Sequence, residues 1–133
     1  MSGSDPIRVT CAVILSEGAI LVTQRGPKMK HAGKWEFPGG KTEPGEDDEA
    51  CIHREIAEEL GLSIRLTGRL PEVTHRYGDT CITLVPFLAE LVDGTISLTE
   101  HQAFLWLAPG ELNQLDWAEA DLPVVDEVLN RFR

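Results

Sequence analysis

The chain has 133 residues, of which 42% are hydrophobic and 26% charged, a composition typical of soluble folded proteins and not of disordered ones. Its 22 acidic and 12 basic residues give a formal net charge of −10, which argues against a surface that binds nucleic-acid polymers or anionic lipids. No apolar run approaches the ~20 residues of a membrane-spanning helix, so we expect no membrane association.

The length predicts one domain over residues 1–133, with residues 1–7 as a flexible tail. The N-terminus lacks the basic and apolar segments of a secretion signal. The three cysteines are odd in number and form no CxxC pair, which indicates free thiols in a reducing compartment and no zinc site. We therefore expect a cytoplasmic protein, either a monomer or a homodimer.

The first forty residues predict a β-hairpin followed by a loop. β-rich runs over 8–15 and 19–24 are separated by Ser16-Glu17-Gly18, a pattern typical of a hairpin. Residues 26–40 are rich in Gly, Pro and Lys and predict a loop around a short strand at 35–37.

Residues 47–60 predict an amphipathic helix. Asp47 is the expected N-cap, and Gly61 is the expected left-handed residue that ends the helix. An apolar stripe repeats every fourth residue, at Ile52, Ile56 and Leu60.

The second half predicts strands over 62–68, 72–77, 80–91 and 103–107, then a short helix over 109–115 and a closing helix over 122–132. The sequence shows no internal repeats or low-complexity linkers. One α+β domain with a mixed sheet is the simplest interpretation.

The acidic residues are concentrated in one segment. Residues 43–59 hold eight acidic residues against one basic residue, Arg54, a local charge of −7. Because a helix turns about 100° per residue, Glu55, Glu58 and Glu59 lie on one face. A solvated acidic surface is the simple alternative, but no Lys or Arg lies four residues beyond these acids, and the C-terminal end of a helix disfavours carboxylates.

Oxygen ligands crowded in this way favour a hard cation such as Mg²⁺ or Mn²⁺. An EF-hand calcium site is excluded, because its characteristic loop sequence is missing.

Nine positions over 23 residues resemble the Nudix box, GX5EX7REUXEEXGU, in which U is an aliphatic residue. They are Gly40, Glu46, Arg54, Glu55, Ile56, Glu58, Glu59, Gly61 and Leu62. Residues 35–41 (WEFPGGK) extend the resemblance to MutT-type nucleoside triphosphate pyrophosphohydrolases. Residues 100–102 (EHQ) and 118–123 (AEADLP) are most similar to the bacterial CTP pyrophosphohydrolase branch.

The resemblance implies a Nudix fold, in which a mixed β-sheet is sandwiched between helices in an α/β/α arrangement. It implies an enzyme that hydrolyses (deoxy)nucleoside triphosphates to the monophosphate and pyrophosphate, with Mg²⁺ as cofactor and Mn²⁺ able to replace it. The metal ligands that it implies are the Gly39 carbonyl and the carboxylates of Glu55, Glu58, Glu59 and Glu100.

The resemblance also implies roles for residues around the metal. Glu46 and Arg54 are expected to pair and to fix the loop against the helix. Glu100, or a glutamate of the box, is expected to take the proton from the attacking water; an ordinary surface glutamate is the alternative for Glu100. Arg25 and Lys41 are candidates for phosphate contacts, and exposed strand-end cations are the alternative.

Base recognition is expected to involve Phe37, Tyr77 and Asp121, with Trp35 as a further stacking candidate; core packing is the alternative for the aromatic residues. MutT enzymes that select 8-oxoguanine carry Asn where this chain has Asp121. An ionised carboxylate only accepts hydrogen bonds and suits the N4 amino group of cytosine. A protonated Asp121 would also read a purine, and Asp121 as helix N-cap is the remaining alternative.

We therefore predict hydrolysis of cytosine or modified pyrimidine nucleotides, as a step in nucleotide-pool sanitation. An 8-oxo-dGTP diphosphatase that limits DNA damage is the alternative within the class, and ADP-ribose and dinucleoside polyphosphates are less favoured substrates. A non-catalytic nucleotide-binding module and a purely structural acidic domain are the alternatives from other classes.

Overall fold

The computed structural model describes residues 6–132, so residues 1–5 of the predicted tail lie outside the described part. Eight strands form within it: β1 Ile7–Ser16, β2 Ala19–Gln24, β3 Trp35–Glu36, β4 Gly39–Lys41, β5 Ser63–Arg69, β6 Val73–Tyr77, β7 Thr80–Asp93 and β8 Ala103–Leu107. The helices are α1 Asp48–Leu60 and α2 Leu122–Arg131, with 3₁₀ helices at Pro109–Gln114 and Glu119–Asp121. None of the helices described is long and apolar enough to cross a membrane.

The strands form one mixed sheet in the order β3-β2-β1-β7-β5, in which β4 also pairs with β1, β6 with β7, and β8 with β2. The central strands β1 and β7 are parallel, and the other pairs are antiparallel. The long parallel pairing brings the start of β1 beside β7, and β7 also carries β6. Strand β1 therefore contacts β4 and α1 directly, and β6 is joined to it through β7. Residues 37–40, which lead into β4 beside β1, are called the glycine loop.

The two faces of the sheet are covered by different helices. Along β1, Ala12 and Ile14 point into the cluster that contains the buried stripe of α1, whereas Cys11 and Val13 point into the cluster that contains α2. This alternation is what a strand buried on both faces requires. The predicted α/β/α arrangement is confirmed.

Helix α1 begins and ends where the sequence predicts. The Asp47 carboxylate accepts the Ala50 N–H at 2.7 Å, and Gly61 adopts the left-handed conformation with φ of 71°. Ile52, Ile56 and Leu60 are completely buried. These contacts fix the rotation of the helix, and hence the direction of its carboxylates.

The boundaries differ from the predictions in a few places. Ile7, assigned to the flexible tail, is the first residue of β1, because its backbone pairs with β7. Gly39–Lys41, expected in a loop, forms β4 against β1. The short helix predicted over 109–115 is a 3₁₀ helix that spans Pro109–Gln114.

Candidate active site

Arg54 on α1 is the centre of the acidic segment. Its guanidinium donates to both Glu46 oxygens at 2.7 and 2.9 Å, and to the carboxylates of Glu55 at 3.1 Å and Glu58 at 3.0 Å. It also donates to the Lys41 carbonyl at 3.1 Å. One arginine therefore compensates several of the neighbouring negative charges. The compensating base precedes Glu58 by four residues, whereas the sequence argument looked only at positions after the acids.

The pairing of Glu46 with Arg54 closes the loop between β4 and α1. The Glu46 carboxylate also accepts the Glu43 N–H at 2.9 Å. The hydrogen bond from Arg54, and then the one from Glu43, lowers the pKa of Glu46 to about 2. Glu46 is therefore ionised at neutral pH, and Arg54 compensates its charge within the loop.

Gly40 allows the Glu55 carboxyl group to lie against the backbone of β4. A Cβ atom at residue 40 would lie 2.4 Å from the Glu55 Cδ atom, so any other residue here would force the Glu55 carboxyl group to move. The Glu55 side chain is only 16% exposed, and burial is the main reason why its pKa is raised. The first glycine of the motif therefore makes room for one of the predicted metal ligands.

Within the acidic segment 43–59, Glu59 is the carboxylate whose ionised form is most disfavoured in the metal-free protein. Its Oε1 atom is buried and has no hydrogen-bond partner among the described residues. Burial is the main reason why the pKa of Glu59 rises to about 8. The negative charges of Glu55, Glu36 and Glu100 add to the rise, and the Gly39 backbone N–H opposes it.

These features fit a divalent cation. A buried oxygen without a partner, beside a second buried carboxylate, is the donor set that a hard cation prefers. Among residues 6–132, no three His, Cys, Asp or Glu side chains already lie at metal-binding separations. Arg54 holds Glu55 and Glu58 in the metal-free arrangement, and Glu58 is 61% exposed. A bound metal ion would compete with these contacts, in which Arg54 donates to Oε2 of Glu55 and to Oε1 of Glu58.

A cleft of about 650 Å³ opens beside the glycine loop. It lies between β1, β6, β7 and the segment before α2, and apolar residues of β1 and β7 form part of its wall. The predicted substrate residues line it together: Arg25, Phe37, Lys41, Tyr77 and Asp121, with Gly39 and Gly40 at the edge. Trp35 is not among the lining residues and pairs with Trp117 in an isolated bridge.

Asp121 occupies the N-cap position of α2 but makes no capping hydrogen bond with its side chain, so capping alone does not explain the residue. The carboxylate is buried and its Oδ2 atom accepts the Phe37 N–H at 2.9 Å, which ties the segment before α2 to the glycine loop. Burial first, and the nearby Glu36 charge second, raise the pKa of Asp121 well above its usual range. A protonated Asp121 has one O–H donor, so the premise that it only accepts hydrogen bonds is weakened.

The two aromatic candidates play different structural parts. Phe37 is 2% exposed and its ring lies 4.8 Å from that of Trp117, so it supports the floor of the cleft. Tyr77 is half-buried, and its hydroxyl accepts the Ala120 N–H at 2.8 Å. The ring of His31 lies 4.4 Å from that of Tyr77. Tyr77 therefore lines the cleft with its ring beside that of His31.

The sequence argument missed two residues next to the site, Glu36 and His101. Glu36 Oε1 accepts a hydrogen bond from Arg25 Nη1 at 2.6 Å, and Glu36 Oε2 lies 2.7 Å from His101 Nε2. Arg25 is therefore already paired with a carboxylate, whereas Lys41 is exposed. Both missed residues stand inside segments that carry the family resemblance, but only burial and pairing across strands single them out.

Comparison with known proteins agrees with this geometry. The NUDIX domain family matches residues 5–128. A CTP pyrophosphohydrolase of Escherichia coli strain K12 is 35% identical over 120 residues, which are 90% of this chain and 89% of that protein. An 8-oxo-dGTP diphosphatase of the same strain is 32% identical over 120 residues, 90% of this chain and 93% of that protein. The crystal structure of the MutT protein from Methanosarcina mazei Go1 has the same fold, with a TM-score of 0.88 at 21% identity and 98% of each chain covered.

The chain belongs to the Nudix family and is a Nudix nucleotide pyrophosphohydrolase. Enzymes of this family act on small nucleotides and generally use divalent metal ions. The predicted enzyme class and fold are confirmed.

Proposed function

We propose that the protein is a Mg²⁺-dependent nucleoside triphosphate pyrophosphohydrolase that prefers cytosine or modified pyrimidine nucleotides and serves nucleotide-pool sanitation. The observation that carries the proposal is the buried Glu59 oxygen, which has no hydrogen-bond partner among the described residues. The neighbouring Glu55 carboxyl group packs against Gly40, which lines a cleft large enough for a nucleotide. In the reaction, a water oxygen bonds to phosphorus, the bridging P–O bond breaks, and the monophosphate and pyrophosphate separate.

The residues that would hold the metal are Glu55, Glu58, Glu59 and Glu100, with the Gly39 carbonyl. When bound, Mg²⁺ neutralises phosphate charge and lowers the pKa of water; Mn²⁺ has the same ligand preference. Glu100, or a glutamate of the box, accepts the proton of the attacking water. Because phosphoryl transfer depends mainly on positioning and charge stabilisation, no cysteine nucleophile is needed.

Lys41 is the better candidate for a phosphate contact. It lines the cleft, its side chain is exposed, and it has the three donors of an ammonium group. Arg25 also lines the cleft, but its guanidinium is bound to Glu36. The positive charge of Arg25 is therefore partly compensated by Glu36 before any phosphate binds.

The choice of base depends on Asp121 at the cleft. The similarity to a CTP pyrophosphohydrolase supports cytosine, whose N4 amino group donates to a carboxylate. The alternative, 8-oxo-dGTP, is supported by the similarity to an 8-oxo-dGTP diphosphatase and by the raised pKa of Asp121, since a protonated carboxyl group supplies a donor. Tyr77 provides a stacking surface in either case.

A substrate panel tests the proposal. Pyrophosphate release is measured with CTP, dCTP, 5-substituted dCTP, 8-oxo-dGTP and the common nucleotides, with Mg²⁺ and with EDTA. We expect the highest kcat/KM for the cytosine nucleotides and no turnover in EDTA. A higher kcat/KM for 8-oxo-dGTP reverses the choice of base, and nucleotide binding without pyrophosphate release supports the non-catalytic binding module.

The variant Asp121→Asn tests whether this position reads the base. Asn keeps an oxygen that accepts the Phe37 N–H and gains a permanent donor, so we expect the ratio of kcat/KM for 8-oxo-dGTP over dCTP to rise. Asp116→Asn is the matched control, because the Asp116 side chain is 73% exposed and pairs only with Lys34 among the contacts described. An unchanged ratio in Asp121→Asn removes Asp121 from base recognition.

The remaining expectations belong to the same proposal. They are a cytoplasmic location, a single domain over residues 1–133, a monomer or homodimer, and no nucleic-acid polymer as ligand.

A further inference from the structure

Glu36 is bound on both of its carboxylate oxygens. Arg25, just after β2, holds one oxygen at 2.6 Å, and His101, in the loop before β8, lies 2.7 Å from the other. The Glu36 side chain is 13% exposed and that of His101 is 0% exposed. The three side chains therefore form a connected, largely buried link between β2, β3 and the loop that carries Glu100.

The histidine is an unfavourable choice for stability alone. A carboxylate oxygen accepts hydrogen bonds, so His101 Nε2 carries the hydrogen, and in the neutral ring Nδ1 is an acceptor. His101 Nδ1 is buried without a hydrogen-bond partner among the described residues. An unpaired buried polar atom is destabilising, and an apolar side chain avoids that cost. What histidine supplies in return is the Nε2–H bond to Glu36.

The backbone on both sides of His101 is fixed to the end of β2. A Cβ atom at Gly26 would lie 2.0 Å from the Glu100 carbonyl oxygen, so only glycine lets these two segments approach so closely. On the other side, the Gln102 N–H donates to the Gln24 carbonyl at 3.0 Å. The backbone thus holds the loop, and the contact of His101 Nε2 with Glu36 adds a side-chain bond toward the site.

We propose that His101 is a positioning residue for hydrolysis, which holds the Glu100 carboxylate at the metal site through its bond to Glu36. This inference rests on the proposed function, in which Glu100 binds the metal or takes the proton from water. The Glu100 charge already acts on Glu59 in the metal-free protein, which places the loop within electrostatic reach of the site. His101 touches neither substrate nor metal and acts through Glu36 and the loop.

The first test compares His101→Phe with His101→Gln. Phe fills the space without a donor, whereas the Gln side-chain amide places an N–H near the former Nε2. We expect His101→Phe to lower kcat and to raise the half-saturating Mg²⁺ concentration, each on the order of 10- to 100-fold, as for other residues that orient metal ligands. KM for the nucleotide should change little, and His101→Gln should restore most of kcat.

The matched control is Gln102→Ala, a substitution in the same loop of an exposed side chain whose backbone hydrogen bond is kept. A double-mutant cycle adds Glu100→Gln. If His101 acts through Glu100, His101→Phe causes no further loss in the Glu100→Gln background. Fully additive losses overturn the proposal.

A measurement on the metal-free protein completes the test, and its first part needs no variant. Nitrogen NMR of ¹⁵N-histidine-labelled parent protein, without Mg²⁺, should show His101 as the Nε2–H tautomer with slow proton exchange. The exchange should become faster in Glu36→Ala. An Nδ1–H tautomer overturns the inference, as does parental kcat and Mg²⁺ dependence in His101→Phe, or equal losses in the Phe and Gln variants.

The two proposals fail in different ways. A parent protein that releases no pyrophosphate from any nucleotide refutes the proposed function. An active parent whose His101→Phe variant is equally active refutes only the role of His101.

Discussion

At the scale of a single residue, Glu59 shows how a proposed metal ligand differs from a residue that stabilises the fold. Its carboxyl group is buried, lacks a partner on Oε1 among the described residues, and lies near the charges of Glu55 and Glu100. Each of these features disfavours the ionised form in the metal-free protein. A bound cation would reverse that preference, so function and not folding explains the residue.

The variant Glu59→Gln separates the effect of this residue on activity from its effect on stability. Because Gln has the same shape and no charge, we expect the melting temperature to stay equal or rise slightly, while pyrophosphate release falls by at least ~100-fold, as when a metal ligand is lost. Calorimetry and a coupled pyrophosphate assay measure both effects. Glu49→Gln, an exposed position in the first turn of the same helix, is the control and should remain active. Near-parental turnover in Glu59→Gln contradicts the proposed metal site.

At the scale of an element, helix α1 carries much of the negative charge, and arginines from three different elements compensate it. Arg54 contacts the glutamates on its own helix and Glu46. At the other end, Asp48 accepts two hydrogen bonds from Arg8 of β1, each 2.8 Å long, and lies 3.4 Å from Arg69 of β5. Two of these three partners are distant in sequence, so charge counting within the segment could not find them.

The variant Asp48→Asn tests the contribution of the Arg8 contact. The Asp48 side chain is 14% exposed and Arg8 41% exposed, so we expect a loss of about 0.5 to 1 kcal/mol in the free energy of unfolding at pH 7. The hydrogen bond from Arg8 lowers the folded-state pKa of Asp48. A lowered pKa contributes stability that is fully present above the unfolded value of about 3.9 and lost as the pH falls through the folded value.

The difference between parent and Asp48→Asn should therefore be constant from pH 7 to about pH 5 and shrink below about pH 4. Urea titrations at each pH measure it. A difference that persists at low pH shows that the effect comes from packing or capping and not from the charge of Asp48.

At the scale of the whole molecule, the net charge of −10 bears on the proposed ligands. The acidity argues against polymers of nucleic acid, yet the proposed triphosphate substrate is itself an anion. The proposed divalent cation, between the acidic helix and the substrate, would remove this conflict. It would also relieve the repulsion among the carboxylates, which would link metal binding to stability.

Adding Mg²⁺ without nucleotide should raise the melting temperature of the parent protein by several degrees at saturating concentration, because an ion that binds only the folded state stabilises it by ~2.7 kcal/mol at one hundred times its Kd. The Glu59→Gln variant should show a much smaller rise. Scanning calorimetry at constant ionic strength, with Na⁺ as the reference, separates specific binding from screening. Equal shifts in both proteins argue for a structural acidic surface without a metal site.

The sequence by itself determined the class of fold and the position of the catalytic helix, because those depend on local patterns. The apolar repeat of Ile52, Ile56 and Leu60, the Asp47 cap and the Gly61 end act within a few residues, and the structure reproduces them. The spacing of the Nudix box likewise fixes Glu55 and Glu59 on one side of α1. The family followed from the same short segment.

Only the tertiary structure decided how the rest of the site is assembled. The contact of Glu36 with His101 and that of Asp121 with the Phe37 backbone join residues 65 and 84 positions apart. Whether such a side chain is buried, paired or ionised depends on strands that meet only after folding. For that reason the sequence left open whether Asp121 is ionised or protonated and did not single out His101, since both depend on burial between strands.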